Sequence, residues 1–171
     1  NTDHKGFPYA TIGGAMLLEH TDDNKGFHDF SFNHSPTTDQ SVKGYLDFNN
    51  LSEPAKERLT VDMPGDYKNQ LLKYSSESAE EYLTRFNINR KTVKLVSVQP
   101  ELNFGRKIAD IVNIKDDSIM DHYEQYGDAH SSAITMNYHH LSKENSFKSD
   151  DTILFLAAGA GITTACVSYT V

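Results

Sequence analysis

The sequence is poor in cysteine and in positive charge. Cys166 is the one cysteine among 171 residues, which excludes an internal disulfide and a zinc site built from thiolates. Lys and Arg number 16 against 24 Asp and Glu, the net charge is -8, and the basic residues form no cluster. Because nucleic-acid binding depends on cationic contacts to phosphates, no nucleic-acid partner is predicted. Cys166 lies in an apolar run, which is typical of a small buried side chain.

The sequence also has no initiating Met, no signal peptide, and no visible repeat or low-complexity segment. We therefore expect a cytoplasmic protein, and the start at Asn1 suggests a fragment or a processed piece. Hydrophobic residues make up 37% and charged residues 23% of the chain, and its length suffices for one domain with its own core. The prediction is a single domain over residues 1–171.

Charge is missing altogether from the end of the chain, where no charged residue follows Asp151. Residues 152–157 and 162–171 are rich in strand-forming residues and flank a corner of small residues at 158–161. A buried strand, a glycine turn and a second strand predict two neighbouring central strands of a sheet. A stretch of this length also admits a transmembrane helix, but its two glycines, four threonines and one serine argue against one. No membrane partner is expected.

Upstream of this stretch, strand and helix patterns alternate. Residues 27–34 alternate as a half-buried strand, with Phe30, Phe32 and His34 on one side. Residues 66–86 carry an apolar stripe at helical spacing, which predicts the longest helix. The order predicts an α/β fold with a mixed, partly parallel five-stranded sheet and packed helices. The other predicted elements are strands or extended runs at 9–20, 44–48, 93–98 and 118–123, helices at 103–112 and 133–141, and a mixed segment with a helical turn at 51–63.

Four short motifs stand out, at residues 9–18 (YATIGGAMLL), 96–103 (VSVQPELN), 126–134 (YGDAHSSAI) and 156–167 (LAAGAGITTACV). In this order and spacing they resemble the C-terminal half of the β-ketoacyl-ACP synthase III family, in the thiolase-like superfamily. The last motif is similar to the family's final glycine-rich loop and strand, and the third to its Gly-Asn turn into a helix. The second lies where the family has a strand ending in His-Gln-Ala-Asn, and the first resembles the strand that opens the second half. The resemblance covers nearly the whole chain.

The sequence departs from the family at the positions of the catalytic side chains. The family's nucleophilic cysteine belongs to the N-terminal half, which lies outside this sequence. The family's histidine falls at Pro100, or at Gln99 with a shift of one residue, and neither side chain can exchange a proton as imidazole does. The family's asparagine falls at Asp128, which places an acid where negative charge develops on the substrate.

Several residues near these motifs are candidates for the site. His130 is the one imidazole near them, available as an acid or base or as a capping or surface residue. Asn103 serves either as a helix cap or as a substrate contact, and Asp128 is also a common residue type at capping turns. In the family a backbone N–H of the final glycine loop faces the thioester oxygen. The resemblance assigns this oxyanion loop to Gly159, Ala160 and Gly161.

Two functions follow from the resemblance. The first is the C-terminal domain of a synthase III-like acyltransferase or condensing enzyme of fatty acid or polyketide biosynthesis. Such an enzyme takes acyl-CoA or acyl-ACP as substrate, with no bound cofactor and no metal. The second is a non-catalytic partner that pairs with an active condensing enzyme, and the loss of the histidine and asparagine favours it. A thiolase-like half with no acyl chemistry is a third alternative. This chain alone is expected to be inactive.

The resemblance also implies a partner. In the family the two halves face each other, and each covers part of the other's sheet and central helices. A lone half therefore exposes an apolar surface larger than monomers usually tolerate. We expect that surface to be covered by the N-terminal half of the same protein, by a homologous subunit, or by a second copy in a dimer.

Overall fold

The computed structural model describes residues 8–35, 42–46, 48, 52, 59–115, 119–144 and 147–171. Within these ranges the chain forms six strands, four helices and a 3-10 turn at His130–Ser132. The strands are β1 (Gly26–His34), β2 (Lys43–Leu46), β3 (Leu59–Asp62), β4 (Val93–Ser97), β5 (Thr152–Gly159) and β6 (Thr163–Thr170). The helices are α1 (Tyr67–Arg85), α2 (Phe104–Val112), α3 (Tyr123–Tyr126) and α4 (Ala133–Glu144).

Four of the strands form one mixed sheet in the order β1-β6-β5-β4, while β2 and β3 form a separate antiparallel pair. Strands β4 and β5 are parallel, and β6 is antiparallel to both β5 and β1. The connection between the two parallel strands contains α2, α3 and α4, because a parallel pair needs a long crossover. The predicted α/β class and mixed, partly parallel sheet are confirmed.

The sheet buries apolar side chains on both faces. On the first face, α1 and α2 pack over a core that includes Leu154 and Leu156, both fully buried. The apolar stripe predicted for residues 66–86 is the side of α1 that lies on this core. On the second face, α4 packs on β4 and β5 and brings Leu141 against Ile153. Burying one such aliphatic side chain stabilises the fold by about 1.5–3 kcal/mol.

The uncharged C-terminal stretch forms the two central strands of the sheet, as predicted. Residues 153–156 of β5 are buried on both faces, whereas β6 buries only alternate side chains. Cys166 is among the buried ones, with 1% of its surface exposed, which confirms its predicted place in the core. Burial, with a smaller contribution from the charge of Glu81, raises the pKa of the Cys166 thiol to about 12. The thiol is therefore neutral and unreactive at ordinary pH.

The strand predicted at residues 9–20 does not form. Tyr9 alone makes a bridge, parallel to Asp128, and the Ala10 N–H donates to the Asp128 carbonyl at 2.7 Å. Farther along, Leu17 is 97% exposed and Leu18 64% exposed. The predicted sheet has five strands, whereas the described sheet has four. Residues 9–20 do not add a strand to it, because no described strand lies beside them. The composition suits a strand, but a strand exists only where a neighbour pairs with it.

Strand β1 turns its phenylalanines away from the face of the sheet that α1 covers. A bulge at Asp29 interrupts the pairing with β6, and the Tyr82 hydroxyl of α1 donates to the Asp29 carbonyl. Phe30, Phe32 and His34 lie on one side of the half-buried strand, as predicted, but that side is the exposed one, since the two rings are 72% and 71% exposed. The side toward α1 carries polar groups instead, among them Asn33, whose amide donates to a serine of α1 at 3.1 Å.

The remaining boundaries agree with the predictions to different degrees. β4, α1 and α2 match within two residues, and α4 runs three residues beyond 141. Ile111 of α2 is 56% exposed, although it is one of the apolar residues of that helix. Of the run predicted at 118–123, the structure describes residues 119–123, which make a single bridge, from Ile119 to Leu95, before the chain enters α3. Segment 51–63 ends in strand β3, and the predicted helical turn there falls partly on residues 53–58, outside the described ranges.

Among the helices in the described ranges, none combines the length and the apolar character that crossing a membrane requires.

Candidate functional site

A cavity of about 420 Å³ lies at one end of the sheet, where β4 and β5 end and β6 begins. The carboxyl ends of parallel strands are where α/β sheets commonly bind ligands, because the chain diverges there and leaves a crevice. The ends of β4 and β5 contribute Val98, Pro100 and Gly159 to its wall, and the start of α1 contributes Tyr67 and Leu71. The wall is largely apolar, and its ionisable side chains are Tyr9, Tyr67, Lys68, Tyr123, Asp128 and His130.

Four of the predicted site residues meet in this cavity: Pro100, Asp128, His130 and Gly159 all line it. The sequence places them in three separate segments. The parallel pairing of β4 with β5 brings Pro100 and Gly159 to one end of the sheet, and the hydrogen bond from Gln99 to the Gly127 carbonyl ties the segment of Asp128 and His130 to the end of β4. The other predicted residues (Gln99, Asn103, Ala160 and Gly161) are not among the described residues that line it.

Gln99 points into the protein interior rather than into the cavity. It is 1% exposed, and its amide nitrogen donates to the Gly127 carbonyl at 2.8 Å. Its carbonyl oxygen accepts from the His122 N–H at 3.3 Å and from the Asn137 amide at 3.2 Å. Because successive side chains of an extended chain point to opposite sides, Pro100 takes the cavity side. Gln99 thereby ties the end of β4 to the turn at Gly127 and to α4.

Asn103 precedes α2 and is exposed to solvent. Its backbone has a left-handed conformation (φ 60°), and its carbonyl accepts the Lys107 N–H at 2.9 Å. The side chain makes no capping hydrogen bond among the described residues. Asn103 thus holds the cap position predicted from the sequence, through its main chain, and lies away from the lining of the cavity.

The glycine corner between β5 and β6 needs glycine at one position. Gly161 has a φ of +72°, a conformation that side-chain-bearing residues rarely adopt. Gly159 has no positive φ, and a methyl group added there would meet nothing within 4 Å. The corner therefore requires glycine at Gly161 but not at Gly159, which lines the cavity and adds no side chain to it.

Asp128 is both a turn residue and a buried acid. One carboxylate oxygen accepts the His130 N–H at 2.8 Å, which is the capping interaction that its position predicts. The residue is only 8% exposed, and this burial raises the pKa of the Asp128 carboxyl. The hydrogen bond from His130 and the charges of His130 and Lys68 act in the opposite direction but are weaker. The cavity therefore holds a carboxyl group that ionises less readily than usual.

His130 lies at the mouth of the cavity, in the 3-10 turn that precedes α4. Its φ of +47° is unusual for a residue with a side chain, and its imidazole contacts the ring of Tyr9 at 4.5 Å between centroids. The side chain is largely exposed. The geometry permits both roles predicted for His130, since an exposed imidazole at the rim can serve as acid or base or remain a surface group.

Three tyrosines of the cavity, Tyr9, Tyr67 and Tyr123, were missed as site residues by sequence reasoning. Tyr67 counted as one member of the apolar stripe of α1, and the other two lay in segments predicted as strand or extended. Burial, followed by the charge of Asp128, raises the pKa of Tyr9 and of Tyr123. Burial, with the nearby Tyr9 and Asp128, raises the pKa of Tyr67 to about 12. No pattern along the sequence relates these three side chains.

No group of three or more His, Cys, Asp or Glu side chains in the described part of the chain has the arrangement that a metal ion needs.

One edge of the cavity continues onto an apolar surface of the sheet, here called the open face. It consists of Phe27, Phe30 and Phe32 of β1 with Ala165 and Val167 of β6, paired across the two strands. Phe27 is 43% exposed and contacts the ring of Tyr169 at 5.1 Å, and the two residues of β6 are half-buried. Phe32 belongs to both the open face and the cavity wall.

Solved structures with the same fold include three 3-oxoacyl-[acyl-carrier-protein] synthase III enzymes. The enzyme from Aquifex aeolicus VF5 is 18% identical with a TM-score of 0.71, over 89% of this chain and 46% of that one. The enzyme from Pseudomonas aeruginosa PAO1 is 15% identical with a TM-score of 0.73, over 88% and 48%. The enzyme from Thermus thermophilus is 15% identical with a TM-score of 0.72, over 90% and 49%. The fold is therefore that of a thiolase-like half.

The sequence itself gives the family. Residues 83–171, more than half of the chain, match the model of the 3-oxoacyl-[acyl-carrier-protein (ACP)] synthase III C-terminal family. The chain belongs to this family of condensing enzymes. It spans about half the length of the solved structures that it matches. Among the curated proteins compared with it, none matches.

Proposed function

We propose that the chain is the C-terminal domain of an acyltransferase or condensing enzyme of fatty acid or polyketide biosynthesis that acts on acyl-CoA or acyl-ACP. The observation that carries the proposal is the apolar cavity at the end of β4 and β5, where the candidate residues Pro100, Asp128 and Gly159 meet. An apolar cavity with few polar groups suits an acyl chain with a reactive carbonyl at one end. The single, buried cysteine of this chain suits a reducing, cytoplasmic compartment.

The reacting nucleophile must come from outside this chain. Cys166 is buried in the sheet and its thiol has a pKa raised to about 12, so it cannot attack a thioester. In the proposed enzyme the N-terminal half supplies the cysteine, and this half supplies one wall of the thioester site. The chain by itself is therefore inactive.

A second candidate function is that of a non-catalytic partner of an active condensing enzyme. What favours it is that the cavity presents Pro100 and Asp128 at the positions where the family resemblance implies a histidine and an asparagine. A proline has no side-chain donor, and an ionised aspartate opposes developing negative charge, so both changes weaken stabilisation of an oxyanion. In this role the cavity would shape the pocket of the neighbouring enzyme.

Acylation of the complete protein tests the first function. We expect incubation with acyl-CoA to give one covalent acyl adduct, detected by mass spectrometry and located outside residues 1–171, because the cysteine belongs to the other half. This chain alone should give none, and Cys166→Ser in the complete protein should leave the adduct unchanged, since Cys166 is buried. Absence of an adduct under conditions that label an intact synthase III would reject the enzyme and leave the partner function.

We also propose that a second thiolase-like half covers the open face. Exposed phenylalanines at 72% and 71% on one strand face are unusual for a stable monomer surface. The chain spans about half the length of the structures it matches, so a half of similar size is available in such proteins. Because Phe32 belongs to the open face and to the cavity wall, the same partner would also close the cavity.

The lone chain is expected to self-associate through the open face. Light scattering should give a mass above the 19.2 kDa of the monomer, rising with concentration. Phe30→Glu combined with Phe32→Glu should shift the mass toward the monomer, because charge replaces apolar surface at the contact. Lys73→Glu on the exposed side of α1 provides the control and should leave the association unchanged. A wild-type chain that stays monomeric at high concentration would contradict the proposal.

A further inference from the structure

Three tyrosine side chains from three separate segments line the same cavity as Asp128, and the charge of its carboxyl group acts on the pKa of each of them. Tyr67 is the first residue of α1, Tyr123 is the first residue of α3, and Tyr9 pairs with Asp128 itself through a parallel bridge. All three line the cavity that also contains Pro100 and Gly159. The cavity thus concentrates phenol groups on a wall that is otherwise mostly apolar.

The positions of two of these tyrosines are fixed by their backbones. The Tyr67 N–H donates to the Pro64 carbonyl at 2.9 Å, and the Tyr123 N–H donates to the Asp121 carboxylate at 3.0 Å. Tyr67 is 5% exposed and Tyr123 is half-buried. Within the described ranges, neither hydroxyl group makes a hydrogen bond to another residue. Each therefore keeps its donor capacity for a molecule in the cavity.

The phenols are neutral donors throughout the physiological pH range. Burial raises the pKa of both groups, to about 12 for Tyr67, and the charge of Asp128 acts in the same direction. A neutral phenol retains its proton and can donate it in a hydrogen bond without carrying a charge into the apolar cavity. In this respect the two tyrosines differ from Asp128, which when ionised can only accept.

We propose that the hydroxyl groups of Tyr67 and Tyr123 donate hydrogen bonds to the carbonyl oxygen of an acyl thioester bound in the cavity. The inference rests on the proposed function and assigns the carbonyl-binding donors of this chain. Pro100 has no side-chain donor and Asp128 has none once it ionises, whereas the two phenols keep theirs. No proton is transferred: both hydroxyls keep their hydrogens while the carbonyl is polarised, and the stabilisation grows as negative charge develops on its oxygen.

Lys68 and His130, which also line the cavity, fit this arrangement less well. Lys68 is exposed on α1, and His130 lies in contact with Tyr9 at the rim, so both face solvent. An anionic ligand head would lie close to Asp128 and be repelled once that carboxyl ionises. A thioester carbonyl is uncharged, and it needs only the donors that the two phenols present. The ligand class that fits is therefore a neutral acyl thioester.

The test uses the complete protein and an acyl-CoA that carries ¹³C at the thioester carbon. Infrared difference spectroscopy should detect a carbonyl band shifted to lower frequency on binding, because hydrogen bonds weaken the C=O bond. Tyr67→Phe and Tyr123→Phe should each reverse part of the shift and weaken binding about tenfold, and the double variant should reverse most of it. If the complete protein transfers the acyl group, each variant should lower kcat/KM about a hundredfold.

Tyr74→Phe provides the matched control. Tyr74 lies on the same helix as Tyr67 but is not among the described residues that line the cavity, so this variant should behave as wild type. Phenylalanine keeps the ring and its packing at both positions. Because Tyr123 is half-buried, Tyr123→Phe still tests the inference if Tyr67→Phe fails to fold. A wild-type protein that binds no acyl-CoA would overturn the proposed function and this inference together. A wild-type protein that binds it with an unshifted band, or a double variant that keeps the shift, would overturn this inference alone.

Discussion

Asparagine in place of Asp128 is expected to increase acyl transfer by the complete protein on the order of a hundredfold. Asn is close in shape to Asp, and its amide oxygen can accept the His130 N–H that the carboxylate accepts at 2.8 Å. Its NH2 group adds a neutral donor to the cavity in place of a group that becomes negative. The gain should appear in kcat/KM for acyl-CoA, measured with the wild-type and variant proteins side by side.

The same substitution should change how stability depends on pH. The pKa of Asp128 is raised in the folded protein, so the folded state binds this proton more tightly than the unfolded chain. Its contribution to stability is fully present below the ordinary pKa of 3.8 and is lost as pH rises through the raised folded value. The amide that replaces the carboxyl group carries no such proton. We expect urea unfolding of Asp128→Asn to be less dependent on pH across this interval, with higher stability than wild type at pH 7.

Asp110→Asn is the control for both measurements, since Asp110 is exposed on α2 and away from the cavity. It should alter neither kcat/KM nor the pH profile of stability. An Asp128→Asn protein with unchanged turnover and an unchanged pH profile would mean that the carboxyl group acts only as a turn residue.

A second large effect is expected in the sheet. Leu154 is fully buried in β5 and packs in the core under α1 and α2. Leu154→Ala removes buried methyl groups and leaves a cavity that the surrounding strands cannot close, which should cost about 2–5 kcal/mol in the free energy of unfolding. Urea denaturation followed by circular dichroism measures the loss.

Ile111→Ala is the matched comparison, because it removes an aliphatic side chain of similar size from a site that is 56% exposed. Its effect should stay within about 0.5 kcal/mol. Equal losses for the two variants would contradict the position of Leu154 in a tightly packed core.

The sequence predicted most accurately where one physical requirement acts locally. Residues 152–171 lack charge, so they must leave water, and their β-branched residues around a small-residue corner favour a strand pair. The apolar residues of 66–86 likewise recur at the spacing of one face of a helix, which a strand does not produce. Both predictions are confirmed, as β5 with β6 and as α1.

The prediction failed where a distant contact decided the outcome. Residues 9–20 have the composition of a strand but find no neighbour among the described strands, so that only Tyr9 makes a bridge. In β1 the alternation of aromatic residues was read correctly, but the bulge at Asp29, bonded to Tyr82 of α1, directs Phe30 and Phe32 away from the helix. Neither the missing neighbour nor the bond to α1 is encoded within the segment itself.

For the site, the motifs identified the segments, and the tertiary structure decided which side chains enter the cavity. Pro100 and not Gln99 faces it, since Gln99 is held in the interior by Gly127 and Asn137. Asn103 lies outside the lining, and Tyr67 and Tyr123 lie inside it.

The sequence by itself determined the class of fold and the two central strands, because both follow from residue types and their spacing within short segments. The tertiary structure alone decided the direction of the β1 aromatics, the absence of residues 9–20 from the described strands and the presence of Tyr9, Tyr67 and Tyr123 in the cavity wall. These depend on contacts between segments far apart in the chain, where packing and hydrogen bonding override local preference.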